Sequence, residues 1–217
     1  MRGPACLARL HEPAFAWDRA IEAAASDGDH RPTWAYAWPT GDRLAQDLTR
    51  LIDCRGLGVA DLGCGRGHGG LAALLAGCTR ALFADASPHP LGWVEAVLEA
   101  NALSDRAQTR VHRWGTPLPQ GPWDLIIGGD ILYRPECFAA LLDTLMASLA
   151  PEGCALLADP RQGLEPELVP LAEARGLKWD AARQASGYTL VRVWLTPSRD
   201  RRPRTAACDI RDPGCAG

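Results

Sequence analysis

Short apolar segments alternate with longer amphipathic segments over most of the chain. The apolar segments have the length and composition of buried strands, at 57–62, 81–84, 110–113, 123–127 and 155–158. Apolar residues recur at helical spacing in the intervening segments, at 40–52, 70–75, 91–103, 135–149 and 164–175. Strands interleaved with helices in this way predict a mostly parallel sheet with helices on both faces.

Two further strand-like segments complete the pattern at its C-terminal end. Residues 177–182 and 188–195 are separated only by a short connection that contains glycine, which predicts an antiparallel hairpin. The sheet then has seven strands. We therefore expect an α/β fold, with a doubly wound, mostly parallel seven-stranded Rossmann-like sheet and a C-terminal antiparallel hairpin.

The regular pattern occupies residues 34–196, which we predict to be a single domain. Residues 1–33 form an N-terminal leader in which only 14–25 shows helical spacing. Residues 197–217 are rich in arginine and proline, and this composition predicts a flexible, solvated tail. A basic patch for RNA is the alternative for the tail, but its aspartates and its lack of an aromatic residue disfavour that function.

Composition and charge narrow the class of protein. The 217 residues include 23 Lys+Arg and 26 Asp+Glu, and this balance disfavours a surface built for nucleic acid or anionic membrane. No apolar stretch approaches the roughly 20 residues of a membrane helix. The 8 cysteines show no C-x-x-C spacing, and histidine and cysteine never cluster at ligand spacing. We expect a soluble cytoplasmic protein without a metal site.

The first predicted strand runs into a glycine-rich turn with the pattern D-x-G-x-G-x-G, formed by Asp61, Gly63, Gly65 and Gly67. In open parallel sheets, ligands bind beyond the carboxyl ends of the strands. Glycine allows a tight turn there, and we expect the missing side chains to leave room for a ligand. Counted from Gly63, the dinucleotide pattern G-x-G-x-x-G would need glycine at position 68, where His68 stands.

A second acidic residue, Asp85, follows the second strand 18 positions after Gly67. A carboxylate at that place accepts hydrogen bonds from both ribose hydroxyls, which predicts a ligand that contains adenosine. Acidic residues on both sides suit a cationic sulfonium ligand with an ammonium group better than a pyrophosphate. Asp61 is the candidate acceptor for that ammonium group. The alternative is a tight strand-to-helix turn without a ligand.

Three segments together resemble the class I, seven-strand family of S-adenosylmethionine-dependent methyltransferases. They are W-x-x-x-W-P-x-G at 34–41, the glycine turn at 61–67 and G-D-x-x-Y at 129–133. More narrowly, they resemble the lysine methyltransferase family that includes the electron transfer flavoprotein beta subunit lysine methyltransferase. A weaker likeness at 158–161 departs from the family because Arg161 directly follows Pro160. This departure leaves open whether Asp159 and Arg161 lie on the substrate side.

The resemblance implies a role for each matching residue. Asp130 and Tyr133 would be catalytic, with Asp130 holding the acceptor amine and Tyr133 orienting it. Alternatively, Asp130 caps the following helix and Tyr133 packs in the core. The implied cofactor-binding set is Trp38, Asp61, Gly63, Gly65, Gly67, Asp85, Trp114 and Asp130. Trp114 would stack on adenine, although Trp114 and the pair Trp34 and Trp38 could equally be core residues, the pair on one helical turn.

Two histidines near these segments have open or structural roles. His68 would contact the cofactor carboxylate or lie exposed at a helix start. His112 is predicted to be structural, since it falls within a predicted strand.

The resemblance implies that the chain transfers a methyl group from S-adenosylmethionine to a lysine of a protein partner. We expect it to act as a monomer or to associate only weakly. A small-molecule N-methyltransferase and a non-catalytic cofactor-binding module are the alternatives, because one fold supports many functions. A nucleic-acid substrate is disfavoured, since Asp130-Ile131-Leu132-Tyr133 replaces the Asn/Asp-Pro-Pro-Tyr/Phe motif.

Overall fold

A computed structural model describes residues 4–29, 32–36 and 38–196. Within these ranges the strands are β1 Gly58–Leu62, β2 Arg80–Asp85, β3 Ala107–Val111, β4 Trp123–Gly129, β5 Leu149–Asp159, β6 Leu177–Arg183 and β7 Thr189–Leu195. The helices are α1 Ala14–Ser26, α2 Pro39–Leu51, α3 His68–Leu75, α4 His89–Ala100, α5 Phe138–Ser148 and α6 Glu165–Glu173. Short 3-10 segments lie at Pro4–Arg9, Thr33–Ala35, Ser104–Arg106 and Pro135–Cys137.

The strands form one seven-stranded sheet in the order β3-β2-β1-β4-β5-β7-β6. Strands β1 to β5 are parallel, and β7 runs antiparallel to both β5 and β6. The predicted fold class, including the C-terminal hairpin, is therefore confirmed. The strand order reverses between β1 and β4, so a crevice opens at their carboxyl ends.

Alternate residues of the inner strands supply two separate apolar layers, one on each face of the sheet. Phe83 and Ile127 belong to the layer that contains residues of α2, α3 and α4. Their chain neighbours Leu82 and Ile126 belong to the opposite layer, which contains residues of α5 and α6. This alternation follows from the two-residue period of a strand, and it explains why the central positions of the inner strands are mostly apolar on both faces.

Most predicted elements differ from the structure by a few residues at their ends, most clearly β3 and β5, which was expected at 155–158 and spans Leu149–Asp159. Strand β3 begins at Ala107 and ends at Val111, whereas 110–113 was expected. It is an edge strand with mostly exposed side chains, so it lacks the apolar signal of a buried strand. The helix expected at 135–149 ends at Ser148, and β5 starts at Leu149 because Leu149 pairs with Trp123.

The leader packs on the domain. Its helix α1, expected at 14–25, spans Ala14–Ser26, and Trp17 meets Trp93 of α4 edge-on with ring centroids 5.2 Å apart. The backbone N–H of His11 donates to Asn101 Oδ1, and Asn101 Nδ2 donates back to the His11 carbonyl, both at 2.9 Å. The predicted tail at 197–217 lies outside the described residues. No helix in the described part of the chain is long and apolar enough to cross a bilayer.

The start of α2 lies directly against the end of β4. A Cβ built on Gly129 would lie 2.4 Å from the Gly41 Cα, and one built on Gly41 would lie 3.7 Å from the Gly129 Cα. Only a residue without a side chain fits at position 129, because the atom that it would meet belongs to the backbone. This contact fixes the first turn of α2 over the crevice.

We expect Gly129→Ala to lower the free energy of unfolding by about 1–3 kcal/mol, because the added methyl group overpacks two backbone segments. Guanidinium chloride unfolding measures this change. Gly92→Ala is the matched control, since Gly92 lies on an exposed part of α4 and a Cβ built there would have no neighbouring atom within 4 Å. The control should be neutral or stabilising by up to about 1 kcal/mol. Equal stability of Gly129→Ala and wild type would contradict the packing described.

Candidate functional site

A cleft of about 480 Å³ opens over the carboxyl ends of the central strands. Asp85 at the end of β2, His112 and Trp114 after β3, and Asp130 and Tyr133 after β4 line its walls. Its volume is within the range of small-molecule and cofactor sites. The structure thus brings together residues from three loops that the sequence places far apart.

A small recess adjoins the cleft beneath the glycine turn. Asp61, Gly63 and Gly65 line it together with His68 and Trp38. Gly63, Gly65 and Trp38 also line the larger cleft. A ligand with a bulky end and a slender polar end therefore has a continuous path from cleft to recess.

All three glycines of the turn adopt left-handed backbone, with φ of +65° at Gly63, +47° at Gly65 and +74° at Gly67. The reason expected for Gly67, room for a ligand, is wrong: a Cβ built on Gly67 would lie 2.9 Å from Val94 Cγ2 and 3.1 Å from Phe83. Gly67 is required by the backbone conformation and by the core. Gly63 and Gly65 border the cleft, but a Cβ built on Gly63 would likewise meet a side chain, Ile131 Cγ2 at 2.8 Å.

Asp61 is buried, with 5% of its surface exposed. Its Oδ2 accepts a hydrogen bond of 2.7 Å from the backbone N–H of Gly70, in the first turn of α3. Burial raises the pKa of Asp61 to about 7, against the opposing effect of that hydrogen bond. A cationic group in the recess would favour the ionised form of this carboxylate.

Asp85 fastens the glycine turn while it faces the cleft. Its Oδ2 accepts a hydrogen bond of 3.0 Å from the Gly65 N–H, and its Oδ1 accepts one of 3.0 Å from the Ser87 N–H. Burial raises the pKa of this carboxyl group. Each oxygen of a carboxylate has a second lone pair, so Asp85 can accept further hydrogen bonds from a ligand's hydroxyl groups.

Asp130 caps a helix, but not the one expected. Its Oδ2 accepts a hydrogen bond of 2.7 Å from the Gly41 N–H in the first turn of α2, whereas the alternative placed it on the following helix. Its backbone has φ of +56°, and its N–H donates to the Ala158 carbonyl at 2.8 Å. Partial burial raises the pKa of its carboxyl group, and the hydrogen bonds from Gly41 and Thr40 oppose this rise.

Tyr133 is 57% exposed and lines the cleft, so the alternative that it packs in the core is wrong. The loop that carries it is held by an ion pair. The buried Asp159 accepts hydrogen bonds from the Arg161 N–H at 2.8 Å and from Arg161 Nε at 3.0 Å, and Arg161 also donates to the Leu132 carbonyl. Asp159 and Arg161 therefore position the loop after β4.

The two tryptophans of the W-x-x-x-W-P-x-G segment do not share a helical turn. Trp34 is buried in the 3-10 segment Thr33–Ala35, between α1 and the cleft. Trp38 precedes α2, is 47% exposed at the cleft, and donates from Nε1 to the Thr33 carbonyl at 2.8 Å. Trp114 is half-buried, lines the cleft and packs against the core. Trp38 and Trp114 thus both border the cleft.

Two histidines line the site, His68 in the recess and His112 in the cleft. His68 Nδ1 lies 2.5 Å from Asp42 Oδ1 of α2, and the side chain is largely buried, so it is not an exposed helix-start residue. His112 follows β3, lines the cleft, and its buried Nε2 has no hydrogen-bond partner among the described residues. Burial lowers the pKa of His112. Its place at the carboxyl end of a strand was the signal that could have identified it.

No group of three or more His, Cys, Asp or Glu side chains able to hold a metal ion occurs in the described ranges. The residues that line the cleft and recess instead offer carboxylates, backbone donors and aromatic faces. This set suits an organic ligand that combines an aromatic base, hydroxyl groups and an amino-acid end.

Comparison with protein families matches residues 37–165 to a family model described as lysine methyltransferase. The chain belongs to this lysine methyltransferase family. The match contains Trp38 to Gly41 of the W-x-x-x-W-P-x-G segment, the glycine turn and the loop after β4. The family resemblance stated from the sequence is therefore confirmed.

The chain is 33% identical over 136 residues to the electron transfer flavoprotein beta subunit lysine methyltransferase of Xenopus laevis, which covers 59% of this chain and 52% of the relative. It is 38% identical over 100 residues to protein N-lysine methyltransferase METTL21A of Danio rerio, covering 43% and 45% of the two chains. The chain thus spans about half the length of these curated relatives.

Solved structures show the same fold. An O-methyltransferase of neocarzinostatin biosynthesis, NcsB1, crystallised with S-adenosyl-L-homocysteine and 1,4-dihydroxy-2-naphthoic acid, superposes with a TM-score of 0.63. It is 20% identical, and the superposition covers 88% of this chain and 67% of that one.

The raised pKa of Asp61 predicts a pH dependence of stability. The unfolded carboxyl group has a pKa near 3.8 and the folded one near 7, so the folded state retains a proton that the unfolded state loses. The contribution of Asp61 to the free energy of unfolding is therefore largest at low pH. It falls by about 1.4 kcal/mol per pH unit between about pH 5 and 7.

Asp61→Asn keeps an acceptor for the Gly70 N–H and removes the titration. Urea unfolding of the ligand-free protein from pH 5 to 7.5 should give a shallower loss of stability for the variant than for wild type. Identical slopes would contradict the burial of Asp61 as an ionisable group.

Proposed function

We propose that this chain is an S-adenosylmethionine-dependent methyltransferase that transfers a methyl group to the side-chain amine of a lysine in a protein substrate. One observation carries the proposal. In a chain of the lysine methyltransferase family, the W-P-x-G segment and the G-D-x-x-Y segment meet at the crevice beside the glycine turn, through Gly41, Gly129 and Asp130.

The cleft and recess fit the proposed cofactor. Asp85 would accept the ribose hydroxyls, Trp114 would contact the adenine ring, and the recess with Asp61 would receive the ammonium group of the amino-acid end. Asp61 is buried and Asp85 nearly so, and such carboxylates favour a cationic, hydroxyl-rich ligand. When bound, S-adenosylmethionine supplies a methyl group activated by the positive charge on its sulfur.

The residues after β4 would hold the acceptor. Methyl transfer requires a neutral amine aligned with the sulfonium at about 3 Å, and positioning of this kind supplies several kcal/mol. A lysine amine has a pKa near 10.4 in water, so it must lose a proton to solvent before the transfer. Asp130, fixed by its bond from Gly41, would hold the amine, while Tyr133 would form the wall that orients it.

The mouth of the cleft supports a protein substrate. Tyr36, Trp38 and Tyr133 are 58%, 47% and 57% exposed, and these side chains line the cleft or the adjoining recess. Exposed aromatic side chains suit an acceptor that stays largely outside the cleft and inserts one side chain. A small-molecule N-methyltransferase is the alternative, and it would need those aromatic residues to close over the substrate.

The proposal also covers the domain bounds, the oligomeric state and the location of the protein. We propose that residues 34–196 are the methyltransferase domain and that the protein acts as a cytoplasmic monomer. The described leader helix packs on this domain through α4.

Asp130→Ala should lower the rate of methyl transfer by at least about 100-fold while affinity for S-adenosylmethionine stays within a few-fold, because the residue acts on the acceptor. Incubation with cell lysate and methyl-labelled cofactor measures transfer, and calorimetry measures affinity, with NAD as the negative control. Asp124→Ala is the matched control, since Asp124 accepts a backbone N–H from Gly58 at the opposite end of the sheet.

The proposal is supported if wild type labels a protein band, Asp124→Ala labels the same band and Asp130→Ala does not. Label in small molecules alone would favour the alternative acceptor. Tight binding without any transfer would indicate a cofactor-binding module and contradict the proposal.

Asp85→Ala should weaken binding of S-adenosylmethionine by about 10- to 100-fold, because two hydrogen bonds to a charged group are lost. The same calorimetric titration measures this loss. Part of the effect would come from the Gly65 N–H, which loses its acceptor in Asp85→Ala. Asp85→Asn keeps an acceptor for that N–H and separates this part of the effect. Unchanged affinity in Asp85→Ala would exclude Asp85 from the cofactor site.

A further inference from the structure

Arg66 occupies the middle of the glycine turn, between Gly65 and Gly67. Its guanidinium carbon lies 5.0 Å from the ring centroid of Trp17 in the leader and 6.0 Å from that of Trp93 in α4. Guanidinium groups are attracted to the faces of tryptophan rings at these distances. The side chain therefore leaves the turn in the direction of the leader.

A carboxylate of the leader completes the contact. Arg66 Nη2 lies 3.3 Å from Glu12 Oε2, and the other oxygen of Glu12 lies 3.8 Å from His68 Nε2. The Arg66 Nε is buried and has no hydrogen-bond partner among the described residues. Within the described structure, its ring contacts and Glu12 therefore fasten the guanidinium group.

The leader reaches the cleft through Asp29 and Thr33, and Trp34, the residue that follows the leader, extends this contact. Trp34 packs edge-on against Trp17, with centroids 5.5 Å apart, and it lines both the cleft and the recess. A Cβ built on Gly65 would lie 3.5 Å from the Trp34 carbonyl oxygen. The glycine turn thus lies between the sheet on one side and Trp34, which packs on the leader, on the other.

We infer that Arg66 is a positioning residue that fastens the cofactor-binding turn to the leader through Trp17, Trp93 and Glu12, so that cofactor binding and ordering of the leader are coupled. The inference rests on the proposed cofactor site. Its physical basis is the freedom of the turn, because Gly65 and Gly67 restrict the backbone less than other residues do. Affinity falls in proportion to the fraction of molecules in which the turn is competent to bind.

The test uses the full chain and S-adenosylhomocysteine as the probe. Arg66→Gln and Trp17→Leu should each weaken its binding by about 5- to 30-fold, the range expected for loss of a partly buried cation–π contact. The double variant should bind about as weakly as Arg66→Gln alone, because Arg66→Gln already removes the contact that Trp17→Leu breaks. Thermal unfolding confirms that each variant is folded at the temperature of the titration.

Arg80→Gln is the matched control. The Arg80 guanidinium carbon lies 4.0 Å from the centroid of Trp123, and the side chain donates to the Gln120 and Pro122 carbonyls, away from the cleft. This variant loses the same kind of contact, so it should be less stable but bind S-adenosylhomocysteine within twofold of wild type.

Hydrogen exchange gives a readout that a purely structural role would not change. In wild type, S-adenosylhomocysteine should slow amide exchange in residues 14–26 of the leader, and in Arg66→Gln this protection should be lost even at saturating ligand. Binding of Arg66→Gln within twofold of wild type, or additive losses in the double variant, would overturn the inference. If Asp85→Ala binds weakly but Arg66→Gln and Trp17→Leu bind like wild type, the inference about Arg66 is wrong and the proposed cofactor site stands. If wild type does not bind S-adenosylhomocysteine, the proposed cofactor site and the inference are both contradicted.

Discussion

The contact between the start of α2 and the end of β4 is the constraint on which the rest of the site depends. Gly41 and Gly129 bring two backbone segments so close that a side chain at position 129 has no room. Asp130 then accepts the Gly41 N–H and satisfies a donor that the first turn of a helix leaves free. The same contact holds α2 over the crevice and fixes the carboxylate at its edge. A packing requirement and a chemical requirement are met by adjacent residues.

Asp61 and Asp85 each hold a backbone segment in place and also face the proposed cofactor site. Asp61 secures the first turn of α3 and Asp85 secures the glycine turn, and both also face the space proposed for the cofactor. Burial raises the pKa of each carboxyl group. Keeping these carboxylates ionised in the ligand-free protein therefore costs free energy. A cationic ligand with hydroxyl groups would offset part of that cost on binding. This arrangement couples the stability of the fold to occupation of the cleft.

Much of the fold could be predicted because buried strands and amphipathic helices leave distinct patterns. The glycine turn and Asp85 could be identified from spacing along a single βαβ unit. The partner of Asp130 could not, because 89 positions separate it from Gly41 and only packing brings them together. The exposed edge strand β3 carried a weak apolar signal for the same reason that its side chains are solvated. The contacts of Arg66 were likewise hidden, since nothing in a glycine-rich turn indicates which way its one long side chain points.

A crystal structure of the protein with S-adenosylhomocysteine bound would test the proposed site most directly. We predict both ribose hydroxyls within hydrogen-bond distance of Asp85, the amino group in the recess beside Asp61, and the sulfur facing the Asp130 and Tyr133 side of the cleft. Ligand bound elsewhere, or bound with its sulfur turned away from Asp130, would contradict the proposed site and the role of Asp130 in it.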